Sequence, residues 1–381
     1  MRIITFLALA AIGSISASHA EDTPTITISK SDTVAVAVSA FTGAEGPAAT
    51  KILTNDLNLS GHFTVAASGA AGFTITASVG SGSLEGKVTD AAGRTVLSKT
   101  FSGSTRGKVH AFADDIVETI TGSKGIASTK IAFVSNKTGR KEIYTADYDG
   151  AGVTQLTRDN AISVGPGISA DGSKLAYTGY QSGYADIYLI DLRSGSRNRI
   201  VKFPGTNTGA AFSPDGGRLA LTASKDGNPE LYVAGSGGGG AKRLTRTRGV
   251  ESSPTWSPDG SQIIYTSDDR GSPALYRISS GGGNGSALST GSSYCTEPDW
   301  SPDGKKVAYT VGSSGTQVAV LNLDGGGSRI VGSGQGPVWG RNSRHLLFAE
   351  GSSLILLDTR SGKRTAVISG LGNLSEPTWS R

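Results

Sequence analysis

The side chains that most often bind metals or act as nucleophiles are few in this sequence and lie far apart. Apart from His19, the histidines are His62, His110 and His345, and Cys295 is the only cysteine among 381 residues. A metal site needs several such ligands close together, and a single cysteine cannot form an internal disulfide. The sequence also offers no GxSxG turn between a strand and a helix, which is the signature of α/β-hydrolases. We therefore predict no catalytic residue, no metal site and no cofactor.

Two other patterns could indicate nucleotide or nucleic-acid binding, and both have a simpler interpretation. Residues 235–240 match the GxGxxG pattern of dinucleotide-binding loops, but they lie in a glycine-rich stretch before a predicted strand rather than a helix. Basic residues cluster over 242–248 in a chain of net charge +5, yet no aromatic residues lie between them. We interpret the glycines as a turn and the cluster as a solvated face, so no nucleic-acid partner is expected.

One turn sequence recurs through the later part of the chain at a spacing of 44 residues. Residues 213–216, 257–260 and 301–304 all read Ser-Pro-Asp-Gly, and residues 169–172 are a weaker copy that has alanine in place of proline. Proline presets the second position of a turn, glycine suits the fourth, and Ser and Asp can bond nearby backbone amides. A repeat of this length predicts one supersecondary unit that is stacked many times.

Each repeat predicts four short strands, which is the size of one β-propeller blade. The second strands begin at Lys130, Lys174, Arg218, Gln262, Lys306 and His345. All four tryptophans, Trp256, Trp300, Trp339 and Trp379, lie directly before the repeated turn, where we expect them to pack between blades. Residues 376–381 match a first strand with no second strand after it, so we expect them to complete the first blade. The sequence thus predicts a six-bladed propeller of WD40-like repeats, closed by its C-terminal strand.

The region before the repeats predicts three further segments. Residues 1–20 combine Arg2, a short apolar run and a small-residue ending, which is typical of a secretory signal peptide cleaved after Ala20. The apolar run is too short to span a bilayer, so no membrane insertion is expected. Residues 21–29 read as a polar arm, and two amphipathic helices with several strands predict an α+β domain that extends to residue 125. The predicted domains are 1–20, 21–125 and 126–381.

The order of these parts is similar to that of the TolB family, the periplasmic propeller proteins of the Tol–Pal system. The similarity rests on the signal peptide, the α+β domain, the six blades with their Trp-Ser-Pro-Asp-Gly turns, and the segments 112–134 and 146–150 around the domain junction. The resemblance implies a monomeric, non-enzymatic scaffold. Such a scaffold would bind the lipoprotein Pal at the propeller mouth and TolA through the N-terminal arm, and would support outer-membrane integrity and constriction during cell division.

The resemblance also implies two sets of partner-binding residues, one in the loops that enter the innermost strands and one in the N-terminal arm. At the propeller mouth these are Asn207, Thr208, Gly209, Glu251, Ser252, Ser253, Thr296, Glu297, Pro298 and Glu376. In the arm they are Glu21, Asp22, Thr23, Thr25, Ile26, Thr27 and Ile28. The repeat pattern by itself also favours a binding site at this place, because six equivalent loops around one axis predict a concave, polar mouth.

The sequence is also compatible with two other functions. A propeller that binds carbohydrate or peptidoglycan in its channel would need Trp256 and Trp300 to be exposed for stacking. A polysaccharide lyase would need a metal held by clustered histidines or carboxylates, for which His345 is a candidate ligand.

Overall fold

The first folded part is a five-stranded sheet with two helices on one of its faces. The computed structural model describes residues 33–312 and 316–381, so the predicted signal peptide and the arm at 21–29 lie outside the described residues. The strands are β1 (Val34–Val38), β2 (Phe63–Val65), β3 (Phe73–Val79), β4 (Ser83–Asp90) and β5 (Thr95–Ser102). The helices are α1 (Gly46–Leu59) and α2 (Thr105–Thr121), and a 3₁₀ turn covers Ser68–Ala70. The sheet order is β2-β1-β3-β4-β5, with β1 parallel to both of its neighbours.

Helix α2, over residues 105–121, is defined by a capping residue at each end and by one apolar face. The hydroxyl of Ser104 accepts a hydrogen bond from the amide of Gly107 at 3.2 Å, and Gly122 ends the helix in the left-handed conformation with φ of 69°. Both are the usual capping devices of helices. The apolar stripe that includes Phe112 and Ile116 is fully buried. It packs on the alternating inward residues of β4, whose other face stays exposed.

The propeller consists of six four-stranded antiparallel sheets, which we number as blades 1 to 6. Blade 1 contains β6 (Lys130–Ser135), β7 (Glu142–Asp147), β8 (Thr154–Gln155) and, innermost, β29 (Leu374–Trp379). Blade 2 contains β9 (Ser163–Ile168), β10 (Lys174–Gly179), β11 (Asp186–Asp191) and β12 (Arg197–Val201). Blade 3 contains β13 (Asn207–Phe212), β14 (Arg218–Ala223), β15 (Glu230–Gly235) and β16 (Lys242–Arg243).

The remaining blades have the same order, with the first strand innermost. Blade 4 contains β17 (Glu251–Trp256), β18 (Gln262–Ser267), β19 (Ala274–Ser279) and β20 (Ser286–Ala287). Blade 5 contains β21 (Cys295–Trp300), β22 (Lys306–Val311), β23 (Gln317–Asn322) and β24 (Ser328–Ser333). Blade 6 contains β25 (Gln335–Trp339), β26 (His345–Glu350), β27 (Ser353–Asp358) and β28 (Arg364–Ile368). The fifth repeat is shortened between blades 5 and 6, where Gly334 alone joins two strands with φ of 137°. The sixth repeat is shortened at residues 351–352, the two-residue loop between β26 and β27.

The C-terminal strand closes the ring, as the sequence predicts. β29 pairs antiparallel with β6, so the last strand of the chain completes the first blade. The indole nitrogen of Trp379 donates to the hydroxyl of Thr129 at 2.7 Å, and the amide of Lys130 donates to the hydroxyl of Ser380 at 2.9 Å. Blade 1 is therefore assembled from the first and the last strands of the propeller in the sequence.

The two faces of the ring carry different parts of the molecule. The mouth face contains the loops that enter the innermost strands and the loops between second and third strands; the turn face contains the Ser-Pro-Asp-Gly turns. The α+β domain packs on the turn face at blades 1 and 6. Arg344 of blade 6 donates to the carbonyl of Gly61 at 2.7 Å, and Arg341 forms an ion pair with Asp114 at 2.6 Å. Arg341 lies in the segment that replaces the repeated turn in blade 6, so that departure from the repeat serves the domain contact.

Candidate functional site

Every innermost strand is interrupted at the same place by a β-bulge. The register of each first strand shifts against the second strand, and one residue at the shift adopts the left-handed backbone conformation. These residues are Gly165, Gly209, Ser253, Glu297, Gly336 and Glu376, with φ between 51° and 63°. Three of the six are not glycine, although the left-handed region disfavours a Cβ by about 1–2 kcal/mol. Bulges of this kind turn side chains out of a strand and often lie beside binding sites.

The six bulges surround an axial cavity of about 520 Å³. A proline follows the left-handed residue in five of the six strands, and these rings line the cavity: Pro166, Pro254, Pro298, Pro337 and Pro377. Proline has no amide hydrogen to leave unpaired, so it suits an inner strand edge that has no further neighbour. The proline rings give the cavity rigid walls, and the charged side chains of Glu297, Asp299, Glu376 and Arg381 also line it.

The carboxylates of Glu297 and Glu376 each reach the next blade of the ring. Glu297 Oε2 accepts from the amide of Gly336 at 3.0 Å and from the hydroxyl of Thr310 at 2.8 Å. Glu376 Oε2 accepts from the amide of Gly165 at 2.5 Å, and burial raises the pKa of this carboxyl above its ordinary value. Both side chains stay partly exposed. They therefore join neighbouring blades and still present an acceptor to the channel mouth.

The other residues singled out from the sequence divide into two groups. Thr208, Ser252, Ser253 and Thr296 are partly exposed at the mouth, and Gly209 and Pro298 line the cavity. Asn207 and Glu251, however, are fully buried, so their side chains do not contribute to the mouth surface.

The reason is that Asn207 and Glu251 begin their strands and point between blades. Asn207 Nδ2 donates to the carbonyl of Phe203 at 2.9 Å, which holds the loop in front of its strand. Glu251 accepts from the hydroxyls of Thr247 and Ser267, both at 2.8 Å, and burial raises its pKa to about 7. The family pattern places these residues correctly in the chain, but it cannot show on which side of the strand each side chain lies.

Two charged residues of the channel were not predicted from the sequence. The guanidinium of Arg381 in the C-terminal segment pairs with the carboxylate of Asp299 in blade 5. Asp299 also accepts from the amide of Trp339 at 2.7 Å, so one carboxylate contacts parts of blades 5, 6 and 1. A signal was available for Asp299, because the equivalent positions of blades 4 and 1 hold the uncharged Thr255 and Thr378.

The alternatives left open by the sequence need groups that the structure places elsewhere. Trp256 and Trp300 are only 4% and 5% exposed, because they pack between blades as predicted, so a stacking platform for sugars is not available on them. His345 is buried at the start of a blade strand next to Asn342 Nδ2, at 2.9 Å, and burial lowers its pKa to about 4.

One cluster in the described part of the chain has metal-ligand geometry, at the contact between the α+β domain and blade 1. Ligand atoms of Asp56, His110 and Asp149 lie within 4.8 Å of one another. Protein groups already bind them: His110 Nδ1 lies 2.7 Å from Asp56, and the guanidinium of Arg106 lies 2.7 Å from Asp149. The positive charge that a cation would supply is present in Arg106, so we interpret the cluster as a domain-docking network.

Comparison with known proteins decides the family. A family model described as "TolB beta propeller domain" matches residues 117–381, which is more than half of the chain. This chain belongs to that family. A crystal structure of TolB from Acinetobacter baumannii is similar over 91% of this chain and 96% of its own, with a TM-score of 0.81 and 27% sequence identity.

Curated relatives match over shorter stretches. The "Protein TolB homolog" of Chlorobium chlorochromatii is 50% identical over 64 residues, which is 17% of this chain and 14% of the relative. The "Tol-Pal system protein TolB" of Geobacter sulfurreducens is 49% identical over 63 residues, 16% of this chain and 15% of the relative. The matched segment is thus a small part of each relative's length. It supports the family.

Proposed function

We propose that this protein is a non-enzymatic periplasmic scaffold of the Tol–Pal system. It binds a Pal-type lipoprotein at the propeller mouth and TolA through the arm at 21–29, and it serves outer-membrane integrity and constriction during division. The observation that carries this proposal is the similarity to the Acinetobacter TolB structure, which covers both the α+β domain and the propeller. The family match over the propeller and the Tol–Pal names of the shorter relatives support it.

The proposed Pal contact consists of the mouth residues that are accessible at the bulges. These are Thr208, Gly209, Ser252, Ser253, Thr296, Glu297 and Glu376, and the ring of the buried Pro298 lines the cavity beside them. A rigid ring with two carboxylate acceptors and several hydroxyls suits an inserted protein loop, whose amides and side chains can donate to it. Asn207 and Glu251 support this surface from inside the blades.

The test replaces the two carboxylates and measures binding to a purified soluble domain of the Pal-type lipoprotein from the same organism. Glu297→Lys together with Glu376→Lys should weaken binding about 100-fold or more, because each substitution places a cation where an acceptor is needed. The milder pair of Glu→Gln substitutions keeps an acceptor for the blade-joining amides, so it separates loss of charge from damage to the ring. Glu85→Lys with Glu118→Lys, both exposed on the α+β domain, is the charge-matched control.

Two results would count against the assignment. Undiminished affinity in the double Lys variant, with its circular dichroism and melting temperature unchanged, would place the Pal contact elsewhere. Complete absence of binding by the unaltered protein would refute the proposed function itself.

The TolA contact needs a separate experiment, since the arm lies outside the described residues. A protein that begins at residue 30 should lose TolA binding in a pull-down while it keeps its affinity for the Pal domain. Retained TolA binding would refute the role of residues 21–29.

A further inference from the structure

The mouth face is strongly asymmetric in charge. Its loops in blades 1 to 4 cover residues 136–141, 156–162, 180–185, 202–206, 224–229, 244–250 and 268–273, and they contain nine lysines and arginines against four aspartates. The corresponding loops that enter blades 5, 6 and 1, together with residues 351–352, contain no charged residue and consist mainly of glycine and serine. We call the lysines and arginines of the first group the basic arc.

Hydrogen bonds between these loops show that they share one face. The amide of Tyr180, which follows the second strand of blade 2, donates to the carbonyl of Ile162 in the entry loop at 3.0 Å. The amide of Arg248 in the entry loop of blade 4 donates to Asp269 in the loop after its second strand, at 2.9 Å. The amides of Ser163, Asn207 and Glu251, which begin the inner strands of blades 2, 3 and 4, donate to the carbonyls of Lys141, Ala185 and Pro229 in the preceding blades. The loops of blades 1 to 4 therefore follow one another along the rim of the mouth.

The cations of the basic arc differ in availability: Lys141 lies 3.9 Å from Glu376, and Lys225 lies 3.4 Å from Asp226. Arg140, Arg158 and Arg246 are exposed and have no ion pair among the described residues. Asp159, in contrast, is held by Arg197 at 2.6 Å, and Asp268 accepts the amide of Val250 at 2.6 Å. The excess positive charge faces solvent, so it sets the potential that an approaching partner meets.

Exposed apolar side chains lie within the arc at blade 2. Tyr184 is 71% exposed, Ile162 44% and Tyr180 39%, while most large apolar residues of the propeller are buried. Tyrosine is enriched among the residues that contribute most to binding at protein interfaces, because it gains apolar contact and a hydrogen bond at small entropic cost. The positive potential of the basic arc and the exposed Tyr184 thus lie on the same sector of the rim.

We propose that blades 1 to 4 of the mouth face form a docking surface for an acidic protein partner that is anchored at Tyr184. This inference rests on the proposed function, since the partner to be recognised is the Pal-type domain. A protein fits better than an anionic bilayer because the centre of the mouth holds the carboxylates of Glu297 and Glu376. A partner must therefore be negative around its edge and donate hydrogen bonds at its centre, and a uniform layer of anionic headgroups cannot do both.

The experiment separates association from dissociation by stopped-flow mixing of the full protein with the Pal-type domain. Arg246→Glu with Arg248→Glu should slow association about tenfold at low salt, and raising NaCl from about 50 to about 300 mM should slow the unaltered protein by a similar factor. Tyr184→Ala should speed dissociation about tenfold and leave association nearly unchanged, as expected for a contact made after encounter. Arg193→Glu with Lys305→Glu, on exposed turns of the opposite face, is the matched control and should change neither rate.

Vesicles of phosphatidylglycerol, with phosphatidylcholine vesicles as reference, test the bilayer. No vesicle binding is expected. Two results together would overturn the inference in favour of a membrane surface. The protein would bind anionic vesicles and lose that binding in the Arg246→Glu with Arg248→Glu variant, and its rate of association with the Pal-type domain would not depend on salt. Pal association that is insensitive to both salt and charge reversal would overturn the inference alone. Absence of any Pal binding would overturn the proposed function and the inference with it.

Discussion

The left-handed residues of the inner strands turn the chain in every blade, and in two blades they also direct a carboxylate toward the next blade. At Gly165, Gly209 and Gly336 the position only has to turn the chain, and glycine does so without strain. At Glu297 and Glu376 the same turn aims a carboxylate at the amide of the next blade. The bond to the neighbouring blade offsets the backbone cost, which is why a non-glycine residue can persist there.

Replacing Gly209 by alanine should therefore destabilise the protein by about 1 kcal/mol, since the left-handed conformation disfavours a Cβ. No steric clash adds to this cost, because the nearest atom to the new Cβ would lie 3.9 Å away. Ser253→Ala is the matched control, because Ser253 occupies the equivalent position and already carries a Cβ. Urea denaturation of both variants measures the difference, and equal stabilities would show that backbone strain is not the cause.

His345 gives the free energy of unfolding a pH dependence. Burial lowers its folded-state pKa to about 4, below the ordinary 6.5, so the unfolded chain binds a proton first as the pH falls. The contribution is fully present above pH 6.5 and is lost as the pH falls from there through 4; it amounts to roughly 3 kcal/mol. His345→Gln should flatten the stability profile between pH 6.5 and 4 by about this amount in chemical denaturation. A profile parallel to that of the unaltered protein would contradict the assignment.

At the scale of elements, the strand β29 is the part on which the ring depends. It is the innermost strand of blade 1 and borders blade 6, so it closes the gap between the first and last blades in the sequence. Its tryptophan is 4% exposed and hydrogen-bonded to Thr129, just before β6. Without β29, blade 1 would lack its inner strand and would expose the edge of β6, and exposed strand edges promote edge-to-edge association.

Trp379→Ala should cost about 3–5 kcal/mol, as expected for removing a buried aromatic ring and its hydrogen-bond donor. Thermal unfolding with a parallel test for aggregation would measure it, since an opened ring exposes strand edges. Tyr184→Ala is the control, because that side chain is 71% exposed and contributes little to packing. A change in melting temperature no larger than that of the control would mean that the strand is not the closing element.

At the scale of the whole molecule, the α+β domain and the proposed binding mouth lie on opposite faces of the ring. The domain contacts blades 1 and 6 through Arg106, Arg341 and Arg344, the last by its bond to the carbonyl of Gly61. This arrangement leaves the mouth face free for a partner.

Arg344→Ala should loosen the domain from the propeller and destabilise the protein by about 3 kcal/mol or more. The substitution leaves Asp358 buried without its main partner, and the carbonyl of Gly61 loses its donor. Small-angle X-ray scattering should report a larger radius of gyration, and proteolysis should cut faster in the junction at 122–129. Arg364→Ala removes an exposed ion pair with Glu350 and should cost less than about 1 kcal/mol. Equal effects in the two variants would show that Arg344 does not hold the domain.

The sequence by itself determined the architecture, because its information is local and repeated. The 44-residue period gave the number of blades, the unpaired strand at Trp379 gave the closure, and the apolar stripe around Phe112 gave the main helix of the first domain. Turn chemistry and hydrophobic periodicity act over a few residues, so they can be read without knowing what lies across the fold.

Only the tertiary structure decided which side chains reach the mouth and which face the first domain covers. A bulge reverses the side on which a side chain points, so Glu297 faces the channel while Glu251, at the start of the equivalent strand, is buried. The pairing of Asp299 with Arg381 joins segments that are distant in the chain. The basic arc is also assembled from loops spread over more than 100 residues, and their charges act together only because the ring brings them to one rim.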